Sequence, residues 1–353
     1  MDSRFRRVGF LGAGRTGTAL AWGLYSAGYM VSAVASRSQA SARSLASKVP
    51  GCEAVATPSD LLERCDVVFL TVPDDAIASV AAELPWQEGQ GIIHCSGALS
   101  LDVLAQARER GAVVGGLHPL QTFATRESGA QRLAGSAFAI EGEEPLQHWL
   151  EEVVRRLKGH AVHLRSQDRP LYHAAAVMGC GYLATLLDVA TVLWEAMGFS
   201  REEALRALLP LARGTLRNVE AQGPRDGATG PILRGDAGTV RRHLVALAER
   251  APEVLPLYCQ AGLSMVALAM ERGSIGPNEA REIRDLLSTY LAPVVKLAHV
   301  GVAESDAFRC CAQDDALGPE AVSSIPLPLE RWDSSDAVRR AGDRYHNPEE
   351  AKP

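Results

Sequence analysis

Several features of specialised proteins are scarce in this chain of 353 residues. Aromatic residues make up only 5% and the net charge is −6, which argues against the basic field and stacking surfaces of a nucleic-acid-binding protein. The seven cysteines contain no Cys-x-x-Cys pair, and this odd, scattered set favours reduced thiols over a disulfide framework or a metal site. We see no apolar run of the roughly 20 residues that span a bilayer and no signal peptide. We therefore expect a cytoplasmic protein without nucleic-acid, membrane or metal partners.

The order of the hydrophobic patterns predicts two folded domains and a tail. Residues 1–145 alternate short β-rich runs with helical stretches, which is typical of a parallel, doubly wound sheet. Residues 168–300 show long helical patterns and no convincing strand, with a kink or break expected at Pro210. Residues 301–353 hold eleven acidic and six basic side chains and several prolines, which predicts a largely disordered tail. The predicted fold class is α/β, a doubly wound and mostly parallel sheet followed by an all-helical second domain.

The strongest motif is a G-x-G-x-x-G turn between the first predicted strand and the first predicted helix. It consists of Gly12, Ala13, Gly14, Arg15, Thr16 and Gly17. Gly12 permits a tight turn, Gly14 lets the backbone approach a pyrophosphate, and Gly17 lets the helix pack closely on the strand. The free N–H groups and the positive end of the helix then favour phosphate. The alternative is a glycine-rich turn that binds nothing.

The end of the second strand predicts which dinucleotide this turn would hold. An acidic residue there would bind the ribose 2′-hydroxyl of NAD, but the strand ends at Ala35-Ser36-Arg37-Ser38 without one. Arg37 can pair with a 2′-phosphate, and Ser36 and Ser38 can donate hydrogen bonds to it. The pattern favours NADP(H), with Arg15 as a second cation. The alternative is that Arg37 is a solvated surface residue.

Further polar segments follow the later strands and are expected at the same edge of the sheet. Val72, Pro73 and Asp74 form a turn that would line the cofactor crevice. A second group consists of candidate substrate-binding residues, which are Ser96, Gln121 and Thr122. His118 is the candidate proton donor because its ordinary pKa suits acid–base work near neutral pH. The alternative for His118 is a structural residue bonded to the backbone.

The helical half supplies three more candidate residues. His173 lies at the start of its first long helix, from which a titratable group can reach the cleft. Arg234, in a loop rich in glycine, is a candidate clamp for a substrate carboxylate. Asp236 follows it and is the third candidate, although its simplest role is to cap the next helix.

The combined motifs resemble a family of predicted dehydrogenases that join a Rossmann-like domain to a helical domain of unassigned function. The motifs are the Gly12–Gly17 turn, Val72-Pro73-Asp74, His94-Cys95-Ser96-Gly97, Gly116 to Phe123, Tyr172-His173-Ala174-Ala175-Ala176 and Gly230-Pro231 through Asp236. The resemblance runs from about Arg6 to Val300. The fold is similar to the 6-phosphogluconate-dehydrogenase-like group, which includes ketopantoate and pyrroline-5-carboxylate reductases. This chain departs from the family at Gly181, where an Asn is usual.

The resemblance implies an NADP(H)-dependent oxidoreductase that binds its cofactor between the two domains and forms a homodimer through the helical half. His118-Pro119 resembles the His-Pro pair of prephenate dehydrogenases, in which the histidine contacts the substrate, and Ser96 resembles their substrate-contacting serine. The implied substrate is a small carbonyl acid, 2-dehydropantoate or a similar 2-oxo acid. Two alternatives remain open, a cyclic imine acid such as pyrroline-5-carboxylate and a non-catalytic NADP(H)-binding sensor or scaffold.

Overall fold

Eight strands and twelve α-helices are found in the computed structural model, which describes residues 4–125 and 130–298. The strands are β1 (Arg7–Leu11), β2 (Met30–Ala35), β3 (Glu53–Ala54), β4 (Val67–Leu70), β5 (Gly91–His94), β6 (Val113–Pro119), β7 (Ala137–Gly142) and β8 (His160–His163). The helices are α1 (Arg15–Ser26), α2 (Gln39–Ala46), α3 (Pro58–Arg64), α4 (Asp74–Glu83), α5 (Ala105–Glu109), α6 (Leu146–Arg156), α7 (Arg169–Val177), α8 (Leu183–Ala196), α9 (Arg201–Gly227), α10 (Ala237–Arg250), α11 (Leu255–Arg272) and α12 (Pro277–Ala298). The predicted tail, residues 301–353, lies outside the described residues.

All eight strands form one sheet in the order β3-β2-β1-β4-β5-β6-β7-β8. Neighbouring strands are parallel except for β6 and β7, which are antiparallel. The chain winds outward from β1 through β2 in one direction and from β4 in the other, so the strand order reverses between β1 and β4. A crevice at the carboxyl ends of these two strands is where such sheets bind ligands. The predicted α/β class is confirmed, and the sheet continues to His163, beyond the expected end of the first domain at residue 145.

The sheet is covered on both faces, which explains the continuous apolar character of its central strands. On one face Phe10 and Phe69 stack with their ring centroids 5.2 Å apart, and Trp149 of α6 packs against Phe69. On the other face, apolar side chains of α3 and α4, among them Leu61 and Ile77, are fully buried. This double cover holds the strand ends in fixed positions at the crevice.

The helical half has its own apolar core, built from α10, α11 and α12. Helix α9 is capped by Ser200, whose side chain and that of Glu203 form a capping box. The break expected at Pro210 is wrong, because the one non-helical residue inside α9 is Gly223, with φ of 77°. Pro210 removes a backbone N–H, but the Arg206 carbonyl that loses its donor belongs to an exposed residue and can be hydrated.

One long helix leads from the sheet into the helical half. It consists of α7, a single π-helical turn at Met178–Tyr182 that includes Gly181, and α8. By length and composition, Ser166–Ala196 and Pro252–Arg272 are apolar enough to cross a membrane, so the expectation of no such run is wrong. Isolated polar residues such as Asp188 interrupt these apolar stretches in the sequence. The mean hydropathy of each stretch nevertheless stays high enough for a membrane-spanning helix. Only 6% of the apolar window in Ser166–Ala196 is buried, so this helix exposes much of its apolar surface.

Candidate functional site

The glycine turn between β1 and α1 is shaped by contacts with Thr71. Gly12 has a φ of 112°, and a Cβ atom there would lie 2.5 Å from the carbonyl oxygen of Thr71. A Cβ atom on Gly17 would lie 2.5 Å from the Thr71 hydroxyl, which itself donates to the Gly12 carbonyl at 2.8 Å. Gly14 differs, because a Cβ atom there would meet no atom within 4 Å. Gly12 and Gly17 therefore permit close packing, whereas Gly14 keeps the backbone open to the crevice.

A cleft of about 660 Å³ lies in front of this turn, at the carboxyl ends of β1, β2 and β4. The predicted cofactor residues that line it are Gly12, Ala13, Gly14, Ser36, Arg37, Ser38, Val72 and Pro73. Helix α1 starts in the cleft wall at Gly14 without a side-chain cap and without an acidic residue in its first turn. Its first N–H groups are therefore available to an anion.

The far end of the cleft carries the side chains expected to select the dinucleotide. Arg37 is exposed and has no hydrogen-bond or ion-pair partner among residues 4–125 and 130–298. Ser38 caps α2, where its hydroxyl oxygen accepts from the Ser41 N–H at 3.2 Å. That hydroxyl keeps its own proton free to donate. Arg37 and Ser38 thus present a cation and a donor on one rim of the cleft.

The remaining predicted cofactor residues lie outside the cleft wall. The Arg15 guanidinium donates to the Ala124 carbonyl at 3.3 Å, and Thr16 follows it in the first turn of α1. Asp74 begins α4, and its carboxylate accepts a hydrogen bond of 2.6 Å from the hydroxyl of Ser96. Asp74 therefore links the β4 turn to the segment that follows β5.

Ser96 is buried, and its hydroxyl is fully used within the protein. Besides donating to Asp74, its oxygen accepts from the backbone N–H groups of Ala98 and Leu99 at 3.2 and 3.1 Å. Its main effect in this conformation is to shape the turn that contains Gly97. The structure thus places Ser96 beneath the site surface, where it supports neighbouring residues.

A cluster of two histidines and a tyrosine lies next to Gly97. Nδ1 of His118, at the end of β6, is 2.8 Å from the hydroxyl oxygen of Tyr172 in α7. The rings of His118 and His173 are 6.2 Å apart. A Cβ atom on Gly97 would lie 3.0 Å from Nε2 of His118 and 2.8 Å from Cδ2 of His173. The structure therefore brings together the two predicted catalytic histidines, and the glycine makes room for both.

The environment of this cluster keeps His118 and Tyr172 uncharged at neutral pH. Burial, followed by the charges of His173 and Arg169, lowers the pKa of His118 to about 4, although Asp74 opposes this shift. Burial raises the pKa of Tyr172 to about 12. The near-neutral pKa expected for His118 is therefore not what the fold produces, because a half-buried imidazole beside a cation resists protonation.

A buried ion pair anchors the start of α7, and sequence reasoning missed it. Arg169 is completely buried, and its Nε donates to the carboxylate of Glu141 in β7 at 2.7 Å. Its Nη1 donates to the Ser96 carbonyl at 3.1 Å, and Ser166 also donates to Glu141. Arg169 therefore connects the helical segment to the strand end that carries Gly97. The nearest signal in the sequence is an arginine directly before Pro170, at a helix start.

Two buried polar groups face each other across Gly116. A Cβ atom there would lie 2.7 Å from Nη2 of Arg169 and 3.0 Å from Nε2 of His94. Both ring nitrogens of His94 and this Nη2 lack a hydrogen-bond partner within the described part of the chain. Burial, and then the charges of Arg169 and His118, lower the pKa of His94 to about 3. His94 is thus a buried, uncharged side chain next to the histidine cluster.

The other predicted substrate-binding residues have partners elsewhere. The Gln121 amide donates to the Arg132 carbonyl at 3.2 Å and to the Ser136 hydroxyl at 3.1 Å. The Thr122 backbone donates to Gln121 at 2.9 Å, and its carbonyl accepts from Arg132. These bonds hold the loop after β6 against the segment before β7. The structure therefore does not join Gln121 or Thr122 to the histidine cluster by a hydrogen bond.

Arg234 and Asp236 lie in the helical half. Asp236 caps α10, where its carboxylate accepts from the backbone and the hydroxyl of Thr239 at 2.9 and 2.7 Å. These bonds hold the pKa of Asp236 below its usual range. Arg234 is exposed, and its guanidinium makes no hydrogen bond or ion pair among residues 4–125 and 130–298. Asp236 is thus occupied by capping, whereas the guanidinium of Arg234 is free.

Each half of the chain matches a known family model. Residues 2–119 match the family model of a Rossmann-like domain, and residues 136–265 match that of a domain of unknown function, DUF2520. A search of the curated proteins gives no match. The two domain matches confirm the resemblance drawn from the motifs.

Solved structures share the fold. A proposed NADP oxidoreductase from Bacteroides fragilis, BF3122, is 25% identical with a TM-score of 0.61, and the match covers 74% of this chain and 98% of that one. Protein TM1727 from Thermotoga maritima has a TM-score of 0.62 at 22% identity, over 74% of this chain and 99% of its own. A reductive aminase from Aspergillus terreus in complex with NADPH and ethyl-5-oxohexanoate has a TM-score of 0.52 at 18% identity, over 82% and 94%. The chain therefore joins a Rossmann-like domain to a DUF2520 domain.

Proposed function

We propose that this protein is an NADP(H)-dependent oxidoreductase that reduces a small carbonyl acid. The observation that carries the proposal is a single cleft lined both by the open Gly14 turn and by Arg37, whose guanidinium is unpaired among the described residues. A G-x-G-x-x-G turn at the reversal point of the sheet suits a pyrophosphate, and a free arginine after β2 suits a 2′-phosphate. The similar protein BF3122 is itself a proposed NADP oxidoreductase.

The residues of the cleft fit the cofactor from end to end. The first N–H groups of α1 would hold the pyrophosphate, and Ser36, Arg37 and Ser38 would hold the 2′-phosphate. Val72 and Pro73 line the wall of the cleft after β4. When bound, NADPH supplies a hydride to the substrate. The protein's own part is to orient the two reactants and exclude water, which lowers the barrier by several kcal/mol, on the order of 7 or more.

The histidine cluster is the proposed substrate site. It lies at the carboxyl end of β6, on the same edge of the sheet as the cofactor cleft. His118 would hydrogen-bond the substrate carbonyl, and His173 would lie beside it. Arg234, with its free guanidinium, remains the proposed anchor for the substrate carboxylate, whereas Asp236, Ser96, Gln121 and Thr122 would act indirectly by holding loops in place. Our preferred substrate is 2-dehydropantoate or a similar 2-oxo acid.

The second candidate substrate is a cyclic imine acid of the pyrroline-5-carboxylate type. The observation that favours it is the pKa of about 4 for His118, because a group that is neutral at pH 7 is a weak proton donor. An imine that is already protonated in solution needs no proton from the protein. The two candidates require different groups at Nε2 of His118. A carbonyl oxygen needs a hydrogen-bond donor there, whereas a protonated imine N–H needs an acceptor.

The change Arg37→Ala tests the cofactor assignment. We expect it to raise the Kd for NADPH by about tenfold or more and to leave the Kd for NADH unchanged, because a charge-assisted hydrogen bond contributes about 1.5–3 kcal/mol. Binding is measured from nicotinamide fluorescence. Arg43→Ala is the matched control, since Arg43 is an exposed arginine of α2 that does not line the cleft.

Equal losses for NADPH and NADH in Arg37→Ala would contradict the 2′-phosphate assignment. NADPH oxidation is then followed by absorbance with 2-dehydropantoate, pyrroline-5-carboxylate and a panel of 2-oxo acids. Tight NADPH binding without turnover of any of them would favour the non-catalytic sensor over the reductase.

We also propose that the protein is a cytoplasmic homodimer joined through the helical half. Large apolar side chains are exposed along α7, along the π-helical turn that follows it and along α9, among them Leu171 at 77%, Met178 at 65%, Leu211 at 67% and Leu216 at 51%. Exposed apolar surface on this scale marks an interface. We expect the wild type to sediment as a dimer and Leu211→Asp to shift it towards monomer, with Leu257→Asp, a less exposed position of α11, as the comparison. A wild-type monomer at micromolar concentration, or a need for detergent, would overturn this assignment.

A further inference from the structure

The His118–Tyr172 pair contains one shared proton whose position is not fixed by the heavy atoms alone. Nδ1 and the phenolic oxygen are 2.8 Å apart, and the two rings meet edge to face at 90°. Either the phenol donates to Nδ1, or Nδ1–H donates to the phenol. In the first arrangement the imidazole keeps its proton on Nε2. In the second, Nε2 carries a lone pair.

The acidities of the two groups decide between these arrangements. A phenol O–H is a stronger acid than the N–H of a neutral imidazole, and an imidazole nitrogen is a stronger base than a phenol oxygen. The stronger hydrogen bond therefore runs from Tyr172 to Nδ1 of His118. Among the described residues, Nε2 of His118 has no hydrogen-bond partner, so its proton is available to a ligand.

The groups around His118 keep its ring neutral, so its tautomer determines what it can bind. His173 and Arg169 face it from α7, and His94 lies behind it at the end of β5. The two positive or protonatable neighbours on α7 and the burial of the ring act against protonation, whereas Asp74, at the start of α4, acts for it. Tyr172 is itself protonated, since burial raises its pKa to about 12.

We propose that Tyr172 is a positioning residue that donates to Nδ1 of His118, so that His118 presents Nε2–H and binds a carbonyl oxygen of the substrate. An iminium N–H needs an acceptor, and it would be repelled by this donor. The inference rests on the proposed function and deepens it, because it selects a carbonyl substrate over a protonated cyclic imine. Gly97 contributes by leaving Nε2 of His118 uncovered by a side chain.

The tautomer is measured directly on the complete protein labelled with ¹⁵N-histidine. We expect the His118 signals, identified by their loss in His118→Gln, to show a protonated Nε2 and an unprotonated Nδ1 in the wild type. In Tyr172→Phe the two nitrogen shifts of His118 should move towards each other as both tautomers become populated. Tyr258→Phe is the matched control, because Tyr258 pairs with Nδ1 of His243 at the same 2.8 Å and at a similar ring angle, 83°.

In the control, the signals of His243 should move and those of His118 should not. A wild-type His118 protonated on Nδ1, or one whose shifts are unchanged in Tyr172→Phe, would overturn the inference whether or not the protein is an oxidoreductase. In a turnover assay we expect Tyr172→Phe to lower kcat with a 2-oxo acid about tenfold. Faster wild-type turnover of a cyclic imine than of any 2-oxo acid would also overturn it. Failure to bind NADPH would overturn the proposed function, while the tautomer would still be observed.

Discussion

Arg169→Ala is expected to lower the free energy of unfolding by about 3–5 kcal/mol, which is the usual cost of removing one partner of a buried ion pair. Arg169 is fully buried, and the side chain of its partner Glu141 is only 15% exposed. The change would leave the Glu141 carboxylate without its cation and the Ser96 carbonyl without a donor. Both groups lie at the junction of α7 with the sheet. The loss is measured by urea unfolding followed by circular dichroism.

Arg165→Ala is the control for this experiment. Arg165 pairs with Asp168 at 2.6 Å only four residues earlier in the chain, but its side chain is 75% exposed. Solvent screens such a pair, so we expect little or no change in the free energy of unfolding. If both variants lost the same small amount, Arg169 would contribute no more than a surface arginine and the anchoring role would be wrong.

His118→Ala is expected to lower kcat for a 2-oxo acid by about 10²–10³-fold, which is the range found when a single donor to a developing oxyanion is removed. The Kd for NADPH should be unchanged, because His118 does not line the cofactor cleft. Stability should change little at pH 7, since only part of the ring is buried and its hydrogen bond is neutral. Steady-state kinetics and a separate binding titration give the two quantities.

His243→Ala is the matched control for this prediction. His243 makes the same type of bond to a tyrosine, but it lies in α10, in the helical half. It should leave kcat unchanged. A His118→Ala enzyme that keeps its full rate with every carbonyl substrate would remove His118 from the mechanism and would favour the imine class.

Local signals made much of the sheet predictable. Gly12 was recognisable because tight strand-to-helix turns need glycine, and the buried strands because they are continuously apolar. The strand β8 is not predicted because His160–His163 is exposed throughout and its order, polar, apolar, apolar, polar, lacks the alternation that identifies a strand. The two-residue β3 is likewise too short to leave a pattern. The sequence therefore does not reveal the pairing of the two edge strands, β3 and β8.

The sequence predicted which histidines form the site better than it predicted the hydrogen bonds and ion pairs around them. The positions of His118 and His173 follow from the strand end and the helix start, and the fold brings the two together. The pairing of Arg169 with Glu141 could not be read in the same way, because a strand and a helix supply the partners and no local pattern links them. The pKa of His118 depends on this long-range packing too, so its ordinary value was a poor guide.

The helix that runs from Arg169 to Ala196 has a mechanical consequence. At 1.5 Å per residue it is about 40 Å long, and its first turns carry Arg169, Tyr172 and His173. Its other end reaches the helical half, so a tilt of that half passed along the helix would move Tyr172 relative to His118, which is held at the end of β6. The π turn at Met178–Tyr182 is the natural pivot, since such turns loosen the regular backbone ladder. A single movement would then both close the two halves around a substrate and align the Tyr172 hydroxyl with Nδ1 of His118.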